Sequence, residues 1–140
     1  MILSLALCTI GLGLSGYTLD VHFQPQSLVC VNAGPFDCRA VLTSAQSSIF
    51  GIPVPFFGIA FFLGLGVLCL PFAWRSAEMW VHWTRLAVTV TGIGMVMYLI
   101  VTELFTVKEI CLWCTGVHVV TFLLFAIVVT SMPALLAQED

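Results

Sequence analysis

Two cysteines three residues apart, Cys111 and Cys114, open the last apolar segment of the chain. They follow a polar turn at residues 107–109 and precede a run of about 20 apolar residues, long enough to cross a membrane as a helix. A helix N-terminus presents unpaired N–H groups and partial positive charge, which stabilise a thiolate. The spacing therefore indicates redox chemistry at a membrane surface, although two such cysteines could also form a structural disulfide or simply pack.

The composition predicts a membrane protein. Apolar residues make up 61% of the 140 residues and charged residues only 8%, with four Lys plus Arg. Since so little charge cannot cover a globule of this size, we expect an integral membrane protein in contact with lipid. The net charge of −3 excludes a basic nucleic-acid-binding surface and a polybasic lipid-binding patch.

Hydropathy predicts an all-α fold, a four-transmembrane-helix bundle that forms one domain over residues 1–140. A span needs about 20 apolar residues. The predicted spans lie at about residues 2–19, 54–74, 83–104 and 111–132. The first segment is expected to be a true span, because a cleaved signal peptide would have a basic start and a shorter apolar core.

The loop between the first two spans carries a second pair of cysteines, Cys30 and Cys38. Asp37 is a suitable helix N-cap, and the residues after it are apolar on one face. We therefore expect either a short surface helix at residues 37–45 or an ordinary turn. A surface helix would hold Cys38 above the ends of the spans.

Two arginines predict the orientation. Arg75 and Arg85 flank the short turn between the second and third spans, which the positive-inside rule places in the cytoplasm. Both cysteine pairs would then face the extracytoplasmic side. Such compartments are oxidising, which is where thiol pairs of this kind are made and used.

One ionisable residue lies deeper in the fourth predicted span. At about 100° per residue, Cys111, Cys114 and His118 fall within a stripe about 60° wide. Because an ionisable residue inside a membrane is a functional candidate, we expect His118 to face whatever the thiols react with. A bond to a neighbouring helix would also satisfy it. Glu103, near the outer end of the third span, is expected at headgroup level instead.

The order of these features resembles the vitamin K epoxide reductase family of membrane thiol oxidoreductases, in its bacterial form without a fused thioredoxin domain. The resemblance rests on the two loop cysteines, CRAVLTS from position 38, SIFG at 48–51 and CLWC at 111–114. It covers nearly the whole chain. It implies four helices around a quinone pocket and a cysteine-bearing extracytoplasmic loop between helices 1 and 2. It also implies a bacterial inner membrane, with the active cysteines outside.

The resemblance implies a role for each of the four cysteines. Cys114 is the cysteine that reacts with the quinone, and Cys111 is its partner that exchanges with the loop. Cys38 meets Cys111, and Cys30 meets the partner protein, although the two loop roles can be exchanged in this assignment.

The resemblance also implies a set of residues that bind the quinone. Ser47 and His118 stand where vertebrate members have an asparagine and a tyrosine. Both are departures that fit the bacterial branch and suggest a different quinone. Together with Phe50 and Cys114, they are expected to bind the quinone.

The activity implied is that of a quinone-dependent thiol–disulfide oxidoreductase. It would form disulfides in a thioredoxin-like extracytoplasmic protein supplied in trans and reduce menaquinone, ubiquinone or a vitamin K-like quinone. Reduction of the quinone or its epoxide could instead be the physiological purpose.

Two other classes of protein stay open. One is a scaffold stapled by disulfides, which is disfavoured because a bridge across i and i+3 closes too small a loop to stabilise much. The other is a zinc site of four thiolates, which is disfavoured by the loop spacing and an oxidising face. We expect no bound metal.

Overall fold

The fold is a bundle of apolar helices joined by short turns and one longer loop. The computed structural model describes residues 1–30, 36–76 and 78–136. The regular elements are, in chain order, α1 (Ile2–Phe23), α2 (Cys38–Leu42), β1 (Ser48–Ile49), β2 (Ile52–Pro53), α3 (Val54–Leu68), α4 (Pro71–Trp74), α5 (Met79–Val101) and α6 (Leu112–Leu136). A π-helical segment, Thr102–Val107, continues α5.

Three helices of the described chain are long and apolar enough to cross a bilayer. They are Ile2–Phe23, Met79–Val107 and Leu112–Met132. The 22 residues of α1 extend about 33 Å at 1.5 Å per residue, against a hydrocarbon thickness of about 30 Å. The fourth apolar helix, α3, has 15 residues and falls short of that thickness. The prediction of a helical membrane protein is confirmed, with three full-length spans.

The structure divides the predicted span at residues 54–74 into two helices. Leu70 adopts an extended conformation, with φ −61° and ψ 152°, and α4 begins at Pro71. Proline has no N–H for the helical ladder, and it disfavours helical geometry in the residue before it. The break therefore follows from the position of the proline.

Arg85 hydrogen-bonds backbone carbonyls on both sides of this break. Its Nε and Nη2 donate to the carbonyl of Leu68 at 3.1 and 2.6 Å, and Nη2 also donates to the carbonyl of Ala73 at 3.1 Å. The guanidinium lies 4.3 Å from the ring centroid of Trp74. Of the two arginines used for the orientation, Arg85 is therefore buried, and only Arg75 is exposed.

The main core joins α1, α3 and α6. Its buried members are Leu7, Cys8, Phe62, Leu65, Cys69, Val120 and Leu124. Gly11 allows the contact between α1 and α3, because a Cβ there would overlap the ring of Phe62. Helix α5 packs on α6 and α3 and completes the bundle.

The loop after α1 contains the short helix α2. Asp37 is its N-cap, and its Oδ1 accepts a hydrogen bond from the backbone N–H of Ala40 at 3.0 Å. This confirms that a short helix forms here, over Cys38–Leu42 instead of residues 37–45. A two-stranded antiparallel hairpin follows, with Ser48 opposite Pro53, and it leads directly into α3.

Candidate active site

Cys111 occupies the N-cap position of α6. The backbone N–H of Cys114 donates to Cys111 Sγ at 3.3 Å, so the thiol takes the place of a capping hydroxyl. The Cys114 thiol is the largest influence that lowers the pKa of Cys111, aided by the backbone N–H groups of Cys114 and Trp113, while burial opposes it. The helix N-terminus therefore favours a thiolate at Cys111.

The two thiols of the motif lie in different surroundings. Cys111 is fully buried in a cluster with Val21, Cys38 and Leu42. Cys114 lines a cavity inside the bundle, which Cys111 does not. Cys114 and His118 face the cavity as predicted, but Cys111 does not, because this residue precedes the helix and does not follow helical periodicity. Both cysteines are free thiols.

The loop cysteines lie next to Cys111. Cys30 and Cys38 form a disulfide. Cys38 is fully buried, whereas Cys30 is only half-buried at the edge of the same cluster. The structure thus brings the four predicted cysteines together, with Cys38 and Cys111 inside one cluster and Cys30 and Cys114 packed against it.

Aromatic residues hold the loop on α6. Trp113 Nε1 donates to the carbonyl of Val29 at 2.9 Å, and the backbone N–H of Val29 donates to the Tyr17 hydroxyl at 2.8 Å. The rings of Tyr17 and Trp113 lie 4.4 Å apart. Beyond the undescribed residues, Phe36 pairs with Ile110 in a parallel bridge. The loop is therefore tied down shortly before each of its two cysteines.

The cavity lies between α1, α3, α5 and α6 and has a volume of about 770 Å³. Its walls are mainly apolar, and aromatic residues of α3 and aliphatic residues of α5 contribute to them, such as Phe57, Phe61, Val88 and Met95. Volumes and linings of this kind are typical of sites for small, largely apolar molecules. Cys114 brings a reactive group to the wall of this cavity.

His118 and Ser47 reach the cavity as well. His118 is 5% exposed, and its Nε2 has no hydrogen-bond partner among the described residues. Buried polar atoms normally have a hydrogen-bond partner, so this nitrogen is available to a ligand in the cavity. Ser47 lines the same cavity, and its hydroxyl donates to the carbonyl of Ser44 at 2.7 Å.

The structure does not bring Phe50 to the cavity. Its side chain is fully exposed and is not part of the lining. Phe50 lies at the tip of the hairpin with a positive φ of 52°, followed by Gly51 with a φ of 80°. The turn therefore directs the ring away from the bundle, and we leave Phe50 out of the proposed site.

Sequence reasoning missed Glu103. This residue, which was expected at headgroup level, is only 7% exposed and lines the cavity. Its carboxyl interacts with the Cys114 side chain and with the backbone of Cys111. The available signal was a single acidic residue in an apolar segment, which marks a functional candidate inside a membrane. His22 also lines the cavity, with its Nδ1 3.0 Å from the carbonyl of Leu42.

Comparison with known proteins identifies the family. The sequence model of the vitamin K epoxide reductase family matches residues 2–129, which include all four cysteines of the site. No individual curated protein matches the chain. Since the match covers most of its length, the chain belongs to the vitamin K epoxide reductase family and is a membrane oxidoreductase.

Proposed function

We propose that this member of the vitamin K epoxide reductase family oxidises thiols of a partner protein and passes the electrons to a quinone through two cysteine pairs. One observation carries the proposal. Cys111 lies in the cluster of the loop disulfide, while Cys114 lies on the wall of the cavity. The motif therefore connects an exchange site for thiols with a site for a small apolar molecule.

The first exchange would take place at the loop disulfide. A partner thiolate attacks Cys30, the more exposed sulfur of the pair, and displaces the Cys38 thiolate. A second partner thiol then releases Cys30, so that the partner gains one disulfide and the loop becomes a dithiol. Each step needs a thiolate as attacker and a thiol that leaves readily.

The second exchange would transfer the two electrons to the motif. The Cys38 thiolate attacks an oxidised Cys111–Cys114 pair at Cys111 and releases the Cys114 thiolate. Cys30 then attacks Cys38, which restores the loop disulfide and frees Cys111. The redox state in the structure, a loop disulfide next to two free thiols, is the state that this relay requires before quinone reduction.

The residues of the cavity suit a quinone. A quinone accepts two electrons and two protons and becomes a hydroquinone. The apolar walls fit a flat ring with an isoprenoid tail, and the unpartnered Nε2 of His118 would hydrogen-bond a carbonyl oxygen. Ser47 lines the same wall, and its hydroxyl would have to turn from the carbonyl of Ser44 to donate to a quinone oxygen. Menaquinone and ubiquinone both meet these requirements.

The partner is proposed to be a thioredoxin-like protein on the extracytoplasmic side of a bacterial inner membrane. The loop disulfide supports an oxidising side, and the exposed Arg75 near the opposite end supports a cytoplasmic turn. Gln26→Cys and Glu78→Cys, both at exposed positions on opposite ends, test this orientation. A membrane-impermeant maleimide on intact cells should label Gln26→Cys only; the reverse pattern would overturn it.

The activity is tested by anaerobic quinone reduction with purified protein and a small dithiol as electron source. Ubiquinone and menaquinone analogues are followed optically. Wild type should turn over, Cys114→Ala should not, and Cys38→Ala should retain turnover because a small dithiol bypasses the loop. Cys8→Ala is the matched control, since Cys8 is a buried cysteine away from the cavity. If wild type reduces neither analogue, the proposal fails.

A further inference from the structure

Glu103 is a carboxyl placed among the reacting groups by the end of the third long helix. It lies in the first turn of the π-helical segment Thr102–Val107. Such segments are rare and occur frequently at functional sites. Glu103 lines the cavity, and its carboxyl interacts with the Cys114 side chain and the Cys111 backbone at the start of α6.

Within the described part of the chain, no basic side chain is among the groups that act on Glu103. Arg85, a buried charged residue earlier in the same span, differs from Glu103. Its guanidinium donates to backbone carbonyls and packs on the ring of Trp74. A carboxyl buried without a cation is costly as an anion, so it is easily protonated. An acid beside a thiol and inside a ligand cavity is suited to move a proton.

We propose that Glu103 is a catalytic residue that takes the proton from the Cys114 thiol and passes it into the cavity to the quinone. This inference rests on the proposed function. In the reaction, the thiols of Cys111 and Cys114 lose two protons and two electrons and form one S–S bond. The quinone gains both electrons and both protons and becomes the hydroquinone. Glu103, as the carboxylate, takes the proton of Cys114, delivers it to one quinone oxygen and becomes the carboxylate again. The proton that Cys111 releases reaches the other quinone oxygen by way of water.

No other described titratable group at the cavity is as well placed as Glu103 to accept the proton of Cys114. The titratable side chains that face the cavity are His22 from α1, Glu103 from the π-helical segment, and Cys114 and His118 from α6; α3 contributes none among the described residues. His22 is bonded to the carbonyl of Leu42. Of these groups, only Glu103 interacts with the Cys114 side chain as a carboxyl that can accept its proton.

The test compares Glu103→Gln with Glu109→Gln. Glu109 is a second carboxyl in the segment before the motif, but it does not line the cavity. The fully reduced proteins are mixed with a short-chain ubiquinone analogue, and its reduction is followed in a single turnover. Glu103→Gln should be slower by about 10²-fold, within the range for loss of a general base. Glu109→Gln should match wild type.

A second measurement separates proton transfer from misfolding. In a Cys111→Ala background, alkylation of Cys114 by iodoacetamide should not slow in Glu103→Gln, because removal of a carboxylate favours the thiolate. A parallel fall of alkylation and quinone reduction would show a packing role and overturn the inference. An unchanged rate of quinone reduction in Glu103→Gln would overturn it as well, while leaving the proposed function intact. Lack of reduction by wild type is the separate failure of the proposed function.

Discussion

The two ends of the bundle each hold a pair of neighbouring thiols. Cys8 of α1 and Cys69 after α3 contact each other within the main core. Cys111 and Cys114 do the same at the start of α6. Both pairs include fully or almost fully buried sulfurs. Burial and thiol contact therefore do not by themselves identify a reactive pair.

The surroundings of the two pairs differ in their charged groups and in the space beside them. Near Cys69, Arg85 is bonded to carbonyls, and His82 lies 3.0 Å from the carbonyl of Ser76. Near Cys114, by contrast, His118 Nε2 has no partner among the described residues, and Glu103 faces a thiol instead of a cation. The cavity reaches only the second pair. Because Ser4 Oγ, one turn before Cys8, also lacks a partner among the described residues, it is the adjoining cavity that distinguishes the site.

The largest expected effect tests the comparison directly. Cys111→Ala should lower quinone turnover with a small dithiol by on the order of 10³-fold or more, because Cys114 then has no partner with which to form the disulfide. The quinone turnover of the matched variant Cys69→Ala should stay within about twofold of wild type. Cys69 lies in the core away from the cavity, so its loss should act on stability instead. If both variants lost quinone turnover equally, the conclusion that only the Cys111–Cys114 pair is reactive would be wrong.

Arg85→Met removes the buried guanidinium at the end of the bundle that holds Cys69. The carbonyls of Leu68 and Ala73 lose their donor, so we expect a loss of about 2–4 kcal/mol in the free energy of unfolding. Thermal unfolding in detergent measures it. Arg75→Met removes the same charge at an exposed position and should change stability by at most about 0.5 kcal/mol. Quinone turnover below the unfolding temperature should survive in both variants.

His118, at the cavity, and His82, at the opposite end, provide a second comparison between the two ends. His118→Leu removes the unpartnered Nε2 and should raise the KM for the quinone about tenfold, the value of one hydrogen bond of about 1.4 kcal/mol. His82→Leu should lower stability, because His82 is buried and bonded, but leave KM unchanged. The quinone dependence of steady-state turnover measures both. An unchanged KM in His118→Leu would argue against its contact with the quinone.

The smallest effect concerns the loop above the site. Trp113→Phe loses the hydrogen bond to Val29 and should slow turnover driven by a thioredoxin-like dithiol protein about fivefold, as expected for about 1 kcal/mol. Turnover driven by a small dithiol should not change, since it bypasses the loop. Trp80→Phe, at an exposed position of α5, is the control. A loss with both electron donors would contradict a role limited to the loop.

The sequence by itself determined the membrane class and the reactive motifs. A run of apolar residues has few alternatives to a helix in lipid, so the long spans could be predicted from composition and length. The N-cap at Asp37 was predictable for a similar reason, because it depends on neighbouring residues alone. The spacing of Cys111 and Cys114 was sufficient to indicate redox chemistry at a helix start.

Only the tertiary structure decided which groups meet. The direction of Cys111 towards Cys38, the burial of Arg85 and the approach of Glu103 to Cys114 all depend on contacts between separate helices. Periodicity assigns residues to faces of one helix, but it does not state which neighbour each face contacts. The turn at Phe50 shows the same limit, since its positive φ directs the ring away from the bundle. Contacts across the bundle result from packing of the whole chain, and no local pattern specifies them.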